Sequence, residues 1–72
     1  GIAQKMVGAK EVGADWFLAP ESNCGDVVGH VPDGLTVVPV GDFTEASDTV
    51  EDIAKGETAD FATCEDVVAD AP

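Results

Sequence analysis

The chain has no arginine and only three lysines, Lys5, Lys10 and Lys55, against fifteen aspartates and glutamates. A formal net charge of −12 argues against nucleic acid as a partner, because phosphate contacts need Lys or Arg. It argues equally against anionic membrane surfaces. Apolar runs are short, and none approaches the roughly 20 residues that span a bilayer. There is no signal-peptide pattern. Serine is scarce as well, with only Ser22 and Ser47, and cysteine is limited to Cys24 and Cys64. The 72 residues make at most one small domain, near the lower limit for independent folding. A core of that size rarely supplies more than about 3–5 kcal/mol without a disulfide, a metal or a partner.

What is present is a regular alternation of helical and extended signals. Ile2, Met6, Val7, Ala9 and Val12 fall at helical spacing, with Gly13 placed to end the helix. Trp16-Phe17-Leu18-Ala19, closed by Pro20, reads as a buried strand. Ser22 or Asn23 is placed to cap a second helix through Val31, weakened by Gly25 and Gly29. Pro32-Asp33-Gly34 is a turn, and Leu35–Val40 is a second strand whose Pro39 suits a strand end or a sheet edge. A third helix is expected from a Thr44 cap to about Lys55, with Ala46, Val50, Ile53 and Ala54 buried and the acids outside. Gly56 ends it.

The expected fold class is therefore α/β, in the order helix-strand-helix-strand-helix, with a parallel strand pair joined by a right-handed crossover. Residues 1–56 carry this pattern. Residues 57–72 are acidic with a faint helical signal and read as a tail; ten of the fifteen acids lie from Asp42 onward. Both strands are apolar on both faces, the pattern of a sheet covered on two sides. Two strands and three short helices offer too little surface for that cover, so more protein is expected to complete the fold.

Gly1, Ile2, Lys5, Ala9, Gly13, Leu18, Pro20 and Asn23 form one ordered pattern over the first twenty-three residues. In that pattern the segment resembles the part of Lon-type serine proteases that carries the catalytic lysine. Asn23-Cys24, the stretch Val27 to Leu35 and the late Thr63-Cys64 make the chain more similar to the PDZ-containing Lon-like proteases of actinobacteria. The resemblance implies the carboxy-terminal part of a Lon proteolytic domain, a serine endopeptidase working through a Ser-Lys dyad with Lys5 as general base. The family's nucleophilic serine, in a Pro-Ser-Ala context, is not in this chain, so the chain alone is expected to be inactive. Gly1 falls inside the motif, which favours a truncated piece of a longer polypeptide. The resemblance further implies a protein or peptide substrate, an upstream part of the same protease domain as partner, a homo-oligomeric parent and no cofactor. The implied parent is membrane-anchored with an extracytoplasmic protease domain, or cytoplasmic if it is an ATP-dependent Lon.

The residues themselves support a base at Lys5 in one respect. An ordinary lysine is protonated near pH 7, so a base lysine needs burial or nearby positive charge. On a helix the same-face neighbours of Lys5 are Ile2, Gly8 and Ala9, and none is acidic. Small Gly8 and Ala9 would admit another segment or a substrate backbone. Lys10, beside Glu11, looks solvated. Ser22 and Ser47 read as a helix cap and an exposed helix position. Cys24 and Cys64 are free thiols in one reading; in the other, favoured by the closer likeness, they form a disulfide that ties the acidic tail to the body. Cys24, His30 and Cys64 lack the Cys-x-x-Cys spacing of a zinc site, and His30 reads as an exposed loop residue. Trp16 and Phe17 read as core. The competing function is a non-catalytic acidic α/β interaction or assembly module, in which the Lys5 helix is only a helix.

Overall fold

In the computed structural model, which describes residues 1–69, the first helix α1 spans Ile2–Glu11 and is followed by strand β1, Trp16–Pro20. Helix α1 ends as its sequence requires. The Gly13 amide donates to Lys10 O at 3.0 Å and the Ala14 amide to Ala9 O at 3.1 Å. Gly13 sits at φ +88°, a left-handed conformation that costs a residue without Cβ nothing. The two bonds satisfy carbonyls that the last turn would otherwise leave open.

After β1 the chain makes a single 3-10 turn, Glu21–Asn23, and then the one-turn helix α2, Cys24–Val27. This is shorter than the helix through Val31 expected from sequence. Val28 is extended at ψ 131° and Gly29 lies at φ +90°, so the backbone leaves the helix well ahead of Pro32. Neither Ser22 nor Asn23 caps α2 through its side chain. The chain instead turns directly out of Pro20, whose fixed φ starts the 3-10 turn.

Strand β2, Thr36–Val40, pairs in parallel with β1, Trp16 opposite Thr36 and Pro20 opposite Val40. The α/β class and the parallel pair expected from sequence are both present. Alternation along the strands puts Phe17, Ala19 and Val37 on one face. That face carries the core: Met6 of α1, Ala19, Cys24 and Val27 of α2, Leu35, Val37 and Cys64, with Ile2, Ala14 and Val67 packed around them. Fully burying side chains such as Met6, Val27 and Val37 contributes about 1.5–3 kcal/mol each. On β2 both Val37 and Val38 are buried, so this strand is covered on two sides. Strand β1 is not: Trp16, Phe17 and Leu18 remain half-buried. Trp16 meets Phe61 edge-to-face, with ring centroids 5.6 Å apart.

Helix α3 runs Phe43–Lys55. Its cap is Asp42 rather than Thr44: Asp42 Oδ1 accepts from the Glu45 amide at 2.8 Å, and Glu45 Oε2 accepts from the Gly41 amide at 2.9 Å. Asp42 comes earlier in the chain and is a better acceptor than threonine at this position. Gly56, at φ +77°, closes the helix by the same paired bonds as Gly13, to Ile53 O and, from Glu57, to Asp52 O. The buried stripe is a second correction. Thr49 is the buried residue of α3, Ala46 and Ile53 are half-buried, and Val50 and Ala54 are exposed. The helix lies on β2 along one side of its apolar stripe, which leaves the rest of the stripe facing solvent.

The segment read as a tail folds back onto the body as far as it is described. Cys64–Ala69 form helix α4, begun by reciprocal bonds in which the Thr63 amide donates to Asp66 Oδ2 and the Asp66 amide to Thr63 Oγ1. A disulfide joins Cys64 to Cys24, with Cα atoms 4.9 Å apart. The last three residues of that acidic segment, 70–72, lie outside the described residues.

Candidate functional site

The residues singled out by the amino-terminal motif divide into two groups. Gly1, Ile2 and Lys5 from the start of α1 face Phe17, Leu18 and Pro20 of β1 and Asn23 of the 3-10 turn across a cleft of about 480 Å³. Six of the eight motif positions therefore border one space, although they are spread over twenty-three residues of sequence. The other two, Ala9 and Gly13, are elsewhere and hold the frame. Ala9 O accepts the Ala14 amide and Gly13 supplies the left-handed turn, which sets the angle at which α1 hands over to β1.

Lys5 is exposed on α1, and its amide donates to Gly1 O at 3.3 Å, closing the first turn. None of the residues bordering the cleft is acidic. Among the described residues one ion pair forms, between Lys10 Nζ and Asp15 Oδ1 at 4.0 Å, and it does not involve Lys5. The cleft therefore presents one ionisable side chain, the Lys5 amine, against Ile2, Phe17, Leu18 and Pro20. An amine so placed can donate to a carbonyl or carboxylate, or accept a proton if it is brought out of water.

The Lys10 side chain is 35% exposed and its amine donates to Gly34 O at 3.5 Å at the surface, so it is solvated in part. The contact with Asp15, which is 78% exposed, adds little stability. The space beside Gly8 is open, and a Cβ built there meets no atom within 4 Å. Gly8 borders a more open hollow of about 380 Å³, with Ala3, Gln4, Val7 and Glu11 of α1 and His30. His30 is exposed, as expected of a loop residue. Ser22 and Ser47 are exposed, and neither borders the cleft.

Cys24 and Cys64 are 1% and 0% exposed and bonded to each other, which removes both sulfurs from any metal-binding role. Among the described residues no group of three His, Cys, Asp or Glu side chains converges. Phe17 is the cleft residue that sequence reasoning missed, because its apolar neighbours assigned it wholly to the core. It is packed against the core and also forms part of the cleft wall. No family model matches this chain, and neither the curated proteins nor the solved structures give a match.

Proposed function

We propose that this chain is the carboxy-terminal portion of a Lon-like serine endopeptidase and supplies its general base, Lys5. The observation that carries the proposal is the convergence of Gly1, Ile2, Lys5, Leu18, Pro20 and Asn23 on one cleft free of carboxylates. A carboxylate there would hold the amine protonated.

The nucleophile is a serine on a segment outside these residues, docked so that its hydroxyl reaches Lys5 Nζ. Neutral Lys5 takes the hydroxyl proton as the serine oxygen bonds to the scissile carbonyl carbon. The carbonyl π electrons move to oxygen and return as the C–N bond breaks, and Lys5 gives its proton to the leaving amine. Lys5 then takes a proton from water as its oxygen bonds to the acyl carbon, and returns that proton to the serine oxygen as the ester C–O bond breaks, which releases the acid and restores neutral Lys5. For Lys5 to be neutral in a useful fraction, the docked segment must cover the open side of the cleft, because Lys5 is exposed in the chain by itself.

That exposure is also the observation behind a second reading, a non-catalytic acidic α/β interaction module in which Lys5 is a surface helix residue. The two separate on the polypeptide that joins this chain to the sequence encoded upstream of Gly1. The proposal requires a Pro-Ser-Ala segment there and peptidase activity that Lys5→Arg abolishes. Arginine keeps the charge and much of the reach but cannot give up its proton. Activity retained in Lys5→Arg would sink the base assignment, and absence of the serine segment would leave the interaction module.

A further inference from the structure

The cleft beside Lys5 lies against a strand edge rather than a sheet face. Phe17 and Leu18 both border it, although neighbours in a strand point to opposite faces. A space that touches both, and no residue of β2, lies along the free side of β1. The register fixes which main-chain groups point that way. The Thr36 amide donates to Asp15 O at 2.9 Å, so in the parallel register Asp15, Phe17 and Ala19 turn their main-chain groups towards β2. Trp16 and Leu18 turn theirs outward, and among the described residues their outward amides and carbonyls meet no main-chain partner. Pro20 belongs to the same outward set, where its missing N–H costs no ladder bond. The outer edge of β2 is poorer, because Pro39 stands on it and leaves Val37 as the one outward donor between Thr36 and Val40.

The outward groups of Trp16 and Leu18 repeat at about 6.6 Å, two residues of extended chain, and match another extended backbone. Beside them stands the Lys5 amine, with no acid bordering the cleft. Lys5 shares the cleft with Leu18 and Pro20 but not with Trp16, so it marks the carboxy-terminal end of the β1 edge. We infer that this edge takes an extended peptide as a third strand, parallel to β1, whose free carboxyl terminus reaches Lys5. A peptide in the opposite sense would bring its ammonium to the lysine. A second copy pairing edge to edge would add its own Lys5 and no acid to the joined clefts. A carboxylate held there keeps Lys5 protonated, so in a peptidase this ligand is of the released-acid type and not a substrate. The inference does not depend on Lys5 acting as a base.

The test uses the full 72-residue chain and labelled hexapeptides of alternating valine and threonine, read by fluorescence anisotropy. One ends in a free carboxylate and one in a carboxamide. Two more keep the carboxylate and carry N-methyl groups on either the odd or the even residues. The expected result is binding of the first and at least about tenfold weaker binding of the carboxamide. One N-methylated isomer should lose binding and the other keep it, because only one edge of the peptide pairs with β1. Hydrogen exchange followed by NMR should find the Trp16 and Leu18 amides unprotected in the free chain, between protected Phe17 and Ala19, and slowed at least about tenfold by the first peptide. Failure of that peptide to bind, equal binding of the carboxamide, or equal affinity of the two N-methylated isomers would overturn the inference. So would Trp16 and Leu18 amides already protected in the free chain; if sedimentation then shows a dimer, a second copy is the occupant.

Discussion

Reducing the Cys24–Cys64 disulfide is expected to remove about a third or more of the stability of this fold. The bond joins residues separated by 40 positions, and closing a loop of that length removes about 13 cal/mol/K of unfolded-chain entropy, or about 4 kcal/mol at 25 °C. At roughly 0.05–0.15 kcal/mol per residue the whole chain has about 4–11 kcal/mol to lose. The structure shows why the loss should be felt. Both half-cystines are core residues, and α4 is six residues long, too short to persist without its anchor. Phe61, three residues before Cys64, meets Trp16 edge-to-face. The single tryptophan therefore reports directly on whether residues 57–69 stay docked.

The assay is urea unfolding followed by Trp16 emission, with and without reductant, and in parallel on Cys24→Ala/Cys64→Ala. At a urea dependence of about 1 kcal/mol/M for a chain this small, the midpoint should fall by about 4 M. Trp16 emission without urea should shift towards that of a solvated indole. A midpoint within about 1 M of the oxidised protein, with Trp16 emission unchanged, would refute the reasoning. Packing of α4 on α2 would then be sufficient without the bond.

Two smaller perturbations test the ends of α3. Asp42→Ala removes the acceptor for the Glu45 amide and should cost about 1 kcal/mol in a thermal or urea melt; no measurable change would mean that water replaces the cap at this exposed end. Gly56→Ala adds a Cβ that meets no atom within 4 Å but must hold φ +77°. Backbone strain alone should then lower stability by about 1 kcal/mol, and a stabilised variant would show that the left-handed end relaxes freely.

Much of the local structure could be read from residue types alone. Gly13 and Gly56 mark helix ends because only a residue without Cβ takes the left-handed conformation cheaply. Trp16–Pro20 and Thr36–Val40 are strands because apolar and β-branched runs bounded by turn residues have few other options. The spacing of Ile2, Met6 and Ala9 makes α1 a helix with one face inward. The same residues could not say which part of an apolar stripe would find a neighbour. Val50 and Ala54 look as buried in the sequence as Val37, but burial depends on how α3 lies on β2. The pairing of Cys24 with Cys64, the docking of the acidic segment that follows Gly56, and the cleft joining Lys5 to Leu18, Pro20 and Asn23 also depend on long-range packing. Helical and strand periodicity is local, set by backbone geometry over a few residues. Which surfaces meet is set by the whole chain at once, and only the tertiary structure decides it.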